Sequence, residues 1–183
     1  MTEKHKHFGL GTAAGVVGLI VLAGIIGLIT VYSGGYNVAA TEDHSAFGRW
    51  AAATTLKNSI QSRAPTDDPP SFTEAMVEAG AGEYKAMCQH CHGGPGIDRA
   101  GWAEGMLPEP PHLTEAAAHW EPNEIYWILD HGIKSSGMPA FGPSHDEEAL
   151  WNLTAFVTDL PGMTQTDYEA MGSSGHHDDG HEH

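Results

Sequence analysis

Apolar residues are spread very unevenly along this chain of 183 residues. Between His7 and Thr41 there is no Asp, Glu, Lys or Arg, and Phe8 to Tyr32 is an almost unbroken apolar run. That length is near the ~20 residues that cross a bilayer as helix, so one transmembrane helix is predicted within residues 1–33. A mixed stretch follows. Glu42, Asp43 and Ser45 supply N-terminal signals and Ala51-Ala52-Ala53 favours helix. Within residues 34–64 a juxtamembrane helix is therefore expected over Thr41 to Ala64, with Phe47 and Trp50 suited either to the membrane interface or to packing on the next domain. Pro65, Pro69 and Pro70 break the helix, and residues 65–70 read as a linker.

Helical spacing resumes at Ser71, with Glu74 placed to complete a capping box, and runs through Met76, Val77 and Tyr84 to Met87. Gly80 and Gly82 weaken this helix, which suggests that close packing requires them. Residues 93–111 are rich in Gly and Pro and read as loop. A second helix should start near Pro122 and Asn123 and stop at Gly132. After another loop at 137–143, Leu150, Leu153, Val157 and Leu160 mark a third helix over Asp146 to Leu160, which Pro161-Gly162 ends. No strand pattern stands out. The expected fold is all-α, with three core helices and long loops over residues 71–163, preceded by the transmembrane and juxtamembrane helices. Residues 164–183 read as an acidic, His-rich disordered tail.

Charge sharpens this division. Residues 1–70 carry five acids and five bases, 71–161 carry fourteen acids and three bases, and 162–183 carry five acids and no base. A strongly acidic middle segment repels phosphate backbones, which excludes nucleic acid as a partner. A protein with a basic patch is its natural electrostatic partner, and a generic acidic surface is the bland alternative. Lys4 and Lys6 precede the apolar run while Glu42 and Asp43 follow it, so the N-terminus is expected in the cytoplasm and the rest outside. The apolar core exceeds the roughly 7–15 residues of a signal peptide. An uncleaved anchor in a bacterial inner membrane is therefore expected, although Val38-Ala39-Ala40 would suit a signal peptidase. Gly11 with Gly15, and Ala23 with Gly27, have the spacing of close helix pairs. In the tail, His176, His177, His181 and His183 alternate with acids and can bind copper, nickel or zinc, or simply be solvated.

The only cysteines are Cys88 and Cys91, in Cys88-Gln89-His90-Cys91-His92. This is C-x-x-C-H, the attachment signal for c-type haem. Two thiols at this spacing on a helix end can each add to one vinyl group, and the next residue presents imidazole to the iron from the same face. A thioredoxin-like site wants a βαβ context, and a structural zinc site wants a second ligand pair; neither is present. One covalent haem c is the expected cofactor, with His92 as proximal ligand. Met138, in the loop Gly137-Met138-Pro139, leads as distal ligand, because a neutral thioether favours Fe(II). Met106 is better placed for the near side, and Met76 and Met87 for packing. His112, His119, His131 and His145 are further distal candidates.

At these residues the chain resembles the monohaem class I cytochromes c, in a membrane-anchored bacterial form. The resemblance covers Ser71 to about Met163. Gly80 and Tyr84 stand where that family has a small residue and an aromatic on its first helix, and Phe156 where it has the aromatic of the last helix that crosses the glycine. Pro111-His112-Leu113 is similar to its Pro-x-Leu segment, which implies that the Pro111 carbonyl accepts a hydrogen bond from the proximal imidazole. Gly132 to Pro139 is similar to its methionine-ligand loop.

Both axial positions filled by protein leave no site for substrate, so the expected role is one-electron transfer between respiratory redox partners rather than enzyme catalysis. Gln89, Gly93, Gly94 and residues 137–141 are expected at the exposed haem rim. The chain would act either as a carrier swinging on the 65–70 linker or as a fixed subunit of a respiratory complex. The rival readings are a peroxidase or gas sensor with a labile sixth ligand, and a copper- or nickel-handling protein using the tail.

Overall fold

Residues 3–171 are described by a computed structural model, with side chains from residue 11 onward; His176, His177, His181 and His183 lie outside the described residues. The chain divides into two compact units, residues 1–42 and 43–183.

In the first unit, α1 spans Glu3–Ser33. Its segment Gly11–Ser33 is long and apolar enough to cross a membrane, about 35 Å at 1.5 Å per residue against a hydrocarbon core of about 30 Å. Its large side chains are exposed all round, from Val16 to Val31. Such a surface is what lipid, not water, would cover. Near its end the Thr30 hydroxyl is satisfied within the helix, donating to the Ile26 carbonyl at 2.9 Å.

The second unit opens with α2, Ala46–Gln61, whose N-cap is Ser45: its hydroxyl accepts from the Gly48 amide at 3.1 Å. The helix therefore starts five residues later than Thr41. Ile60, in its last turn, is fully buried. The expected hinge at 65–70 is instead fastened, because the Asn123 side-chain amide donates to the carbonyls of Pro65 (2.9 Å) and Asp67 (2.8 Å). These two bonds tie the start of the segment to α6 of the helical core, whose range is Pro122–His131.

Three helices make that core. The first, α3, is Glu74–Glu83, capped by Thr73, whose hydroxyl accepts from the Met76 amide, rather than by Ser71. The next long helix, α6, is Pro122–His131, with a capping box between Glu121 and Glu124, proline at its first turn and Gly132 past its end. The last, α7, is Glu147–Asp159, and the Asp146 carboxylate accepts from the Ala149 amide at 2.9 Å. Leu150, Leu153, Phe156 and Val157 of α7 are buried with Tyr84, Ile125 and Leu129 in one apolar cluster. The buried Thr154 hydroxyl donates to the Leu150 carbonyl within the helix. Helix α3 crosses α7 at Gly80, where a Cβ would lie 2.1 Å from the Asn152 carbonyl oxygen and 2.9 Å from Phe156 Cβ. Gly82 has open space around it, so close packing explains only the first of the two glycines.

Two one-turn pieces complete the set: α4, Gln89–His92, and α5, Leu113–Ala116. The chain past Met163 is not a tail throughout. Residues Gln165–Ala170 form α8, capped by Thr164, and Tyr168 on it is fully buried. An aromatic ring that can enter the core with a partner for its hydroxyl outweighs the polar composition around it.

Candidate haem-attachment site

Helix α3 runs into a π-helical turn, Tyr84–Cys88, and then into α4, which carries the rest of the C-x-x-C-H signal. Such turns interrupt α-helices most often at functional sites. Tyr84 anchors this one. Its ring packs against Phe156 with centroids 5.0 Å apart, and its hydroxyl donates to the Gly93 carbonyl at 2.8 Å, closing the segment just past His92. Gly93 has φ +67°, and a Cβ there would meet the Ile97 carbonyl at 2.7 Å, so the chain can turn back only with glycine at this position.

Cys88 is buried, Cys91 is half-buried, and both thiols are free. Burial, reinforced by Cys91, pushes the Cys88 thiol up to about 12. Redox C-x-x-C sites depend on the opposite shift, whereas a sulfur in an apolar setting suits an uncharged thioether. The Nδ1 of His92 lies 2.8 Å from the Pro111 carbonyl oxygen, which can only accept, so Nδ1–H donates and Nε2 keeps its lone pair. Burial holds the His92 pKa below its ordinary value, helped by Arg99 and His112 and opposed by the Pro111 bond. A neutral imidazole with one free nitrogen is the form that binds iron.

The partner carbonyl is itself secured. Arg99, its side chain 7% exposed, donates through Nη1 to Glu109 Oε1 (2.6 Å) and to the Pro110 carbonyl (2.5 Å). The charge pair thus clamps the residue next to Pro111.

Met138 sits in a tightly tied loop. The Ile133 amide donates to the Met138 carbonyl at 3.1 Å, and the Met138 amide to Ser136 Oγ at 3.1 Å. The chain then returns to α6, with the Phe141 amide donating to the Leu129 carbonyl at 2.9 Å. Gly132 has φ +64°, and a Cβ there would strike Pro139 and Ala140. Met138 is half-buried against the same apolar cluster that holds Cys88. Met106 is not on the opposite side from this loop: its methyl lies where a Cβ on Gly137 would fall, 1.9 Å away.

Of the histidines expected to compete, His112 lies on the His92 side, its Nδ1 3.2 Å from where a Cβ on Gly93 would be. His112, His119 and His131 are exposed, and His131 stacks on Trp127 at 4.7 Å. His145 is within hydrogen-bond distance of Ser144 Oγ (2.9 Å) and stands edge-on to Phe141. Among the described residues no group of three or more His, Cys, Asp or Glu could hold a metal ion.

Part of the expected rim is covered. Gly93 and Gly94 are buried, whereas Gly137, Pro139 and Ala140 are exposed. Over Gly94 the cover is α8, which sequence reasoning missed, whereas Gly93 is flanked by Ile97, Arg99 and His112. The Tyr168 ring lies 2.8 Å from where a Cβ on Gly94 would be, and its hydroxyl donates to Gln89 Oε1 at 2.6 Å. Lys85 donates to the Tyr168 carbonyl at 2.6 Å and to the Met171 carbonyl, with its ammonium 4.7 Å from the Tyr168 ring centroid. The available signal was Thr164-x-x-Asp167, a capping pattern just before the aromatic.

The donor set fits a c-type haem: two unpaired thiols three residues apart, an imidazole with Nδ1 occupied, and a thioether in a constrained loop on the same cluster. The comparisons agree. Residues 75–157 match the family described as Cytochrome C oxidase, cbb3-type, subunit III. This segment is a cytochrome c domain. It contains the cysteine pair, His92, Pro111, Met138 and nearly all of α7, and the pair implies a covalently held haem. The Cbb3-type cytochrome c oxidase subunit FixP of Rhizobium meliloti (strain 1021) is 29% identical over 101 residues, 50% of this chain and 32% of FixP. FixP of Sinorhizobium medicae (strain WSM419) matches to the same extent. The chain therefore spans about a third of the length of these curated relatives. The cytochrome c domain lies entirely in the second unit, while α1, α2 and α8 fall outside the matched residues.

Proposed function

We propose that this chain is a membrane-anchored c-type cytochrome that passes single electrons between respiratory redox partners, as an electron-transfer subunit of a membrane complex. The observation that carries the reading is the setting of His92, one residue past Cys91, with Nδ1 on the Pro111 carbonyl. Haem c supplies a one-electron iron couple. Cys88 and Cys91 would hold it covalently, His92 through Nε2 and Met138 through its sulfur would ligate the iron, and the Arg99–Glu109 clamp would keep the Pro111 acceptor in line with the imidazole. With His92 and Met138 both engaged by the iron, no ligand position would be left for a substrate, and the chain would be a conduit rather than a catalyst.

The subunit reading is favoured over a swinging carrier by the fastened segment at Pro65 and Asp67 and by the likeness to an oxidase subunit. Helix α1 would cross the bacterial inner membrane with the N-terminus in the cytoplasm and the cytochrome c domain in the periplasm, where its acidic surface would dock a basic partner. The test is to mix the reduced full-length protein with a basic one-electron acceptor protein over a range of salt. One electron per chain should leave, at a second-order rate that falls as salt rises. No transfer contradicts the function; transfer insensitive to salt contradicts the basic partner.

A further inference from the structure

Between Asp43 and Asp67 there is no acidic residue, and Arg49, Lys57 and Arg63 make this stretch basic in a protein of net charge −16. Helix α2 occupies most of it. Phe47, Trp50, Thr54, Lys57 and Gln61, at the three- and four-residue spacing of one helix face, are all exposed. Toward the end of the helix the opposite side is engaged, with Ile60 fully buried and Leu56 and Ser59 half-buried. Phe47 and Trp50 are 73% and 62% exposed, and their ring centroids lie 5.6 Å apart. Arg49, its side chain 57% exposed, is already held by the His44 carbonyl (2.6 Å) and Asp43 (3.9 Å), so the cation of this face is Lys57. Two large aromatics and a lysine on the solvent face of a helix whose last turns are packed on the other side need an occupant that is apolar below and anionic above.

We infer that this stripe of α2 rests on the anionic headgroup surface of the membrane, with Phe47 and Trp50 entering the interfacial region and Lys57 on lipid phosphate. The inference rests on the reading of α1 as the anchor. Residues 34–45, which join the two helices, span at most about 40 Å fully extended, so the head of α2 stays within reach of the bilayer surface. Charge picks the lipid class and the orientation. The cytochrome c domain is acidic and repelled by anionic headgroups; α2 is basic and attracted.

The test is hydroxyl-radical footprinting, read by mass spectrometry, of the haem-loaded full-length protein in nanodiscs of phosphatidylglycerol-containing or purely zwitterionic lipid. Trp102, 63% exposed within the cytochrome c domain, is the internal standard. In anionic discs Phe47 and Trp50 should oxidise several-fold more slowly than Trp102. In zwitterionic discs much of that protection should be lost, and in anionic discs the variant Lys57→Gln should lose part of it, since a cation near an anionic surface strengthens binding roughly fivefold. Oxidation of Trp50 at the rate of Trp102 in anionic discs, with Leu19 to Ile29 of α1 protected, would overturn the inference and leave the anchor standing. Equal protection in both lipids overturns the assignment to anionic headgroups, and protection that comes only with an added protein partner overturns the lipid as occupant. Oxidation of Leu19 to Ile29 in either disc removes the anchor itself, and the inference with it.

Discussion

The two segments that carry the candidate iron ligands are built in opposite ways. His92 ends a continuous helical stretch and is backed on several sides: Tyr84 on the Gly93 carbonyl, Tyr168 on Gln89 and Gly94, Pro111 on its own Nδ1, and Arg99 behind Pro110. Met138 sits in a loop held chiefly by its own turns and by the return to α6, with exposed residues on both sides. One ligand is placed by the core and the other by local backbone geometry. The difference teaches where such a site should yield first: loss of the thioether leaves the core intact, whereas loss of support under the cysteine segment removes the site with the fold.

The sharpest way to break the comparison is at the helix crossing. Gly80→Val would place side-chain atoms against the Asn152 backbone, which cannot move aside, and should cost about 3 kcal/mol or more. Thermal unfolding should show this as near-complete loss of folded protein. Gly82→Ala, in open space, should be neutral or stabilising by up to about 1 kcal/mol, and an equal loss in both variants would contradict a specific crossing.

On the other side, Met138→Ala should leave the fold in place, costing less stability than Gly80→Val, while lowering the reduction potential and admitting CO to the reduced protein, because the thioether favours Fe(II). Met106→Leu should keep the native spectrum. If Met106→Leu abolishes the thioether band and Met138→Ala does not, the ligand assignment belongs to Met106, whose methyl already lies beside Gly137.

The smallest effect expected is at Tyr168. Tyr168→Phe leaves the Gln89 side-chain oxygen without its donor and should cost about 1–3 kcal/mol. Burial raises this phenol from 10 to about 12. The folded state therefore favours the neutral ring. Its contribution is complete below pH 10 and is lost as pH rises through about 12. The variant lacks that ionisation, so its stability should fall less steeply over the interval. Equal slopes in chemical unfolding at pH 10 to 12 would sink this role for the hydroxyl.

How much of this was legible in the chain follows the range of the interactions. Helices α6 and α7 are marked by local signals, the Glu121–Glu124 box, Asp146, Gly132 and the spacing from Leu150 to Leu160, and each signal acts within a few residues. The C-x-x-C-H motif is likewise local. The position of the Pro111 carbonyl was suggested by resemblance rather than by any periodicity. Contacts across long stretches of chain were not readable: Asn123 to Pro65, Lys85 to Tyr168, and Tyr168 to Gln89. Helix α8 was lost for a second reason. Six residues are too few to show a helical period, and one buried tyrosine among polar neighbours looks like part of an acidic tail until the glycines it covers are known.

The most direct test of the account is the absorption spectrum of the full-length protein, oxidised and reduced, with CO added to the reduced form. A low-spin haem bound covalently, showing the thioether-to-iron band and no change on CO addition, is the predicted result. A ready shift with CO would mean an open or labile sixth position and contradict a protein-ligated electron conduit; absence of haem would contradict the site altogether.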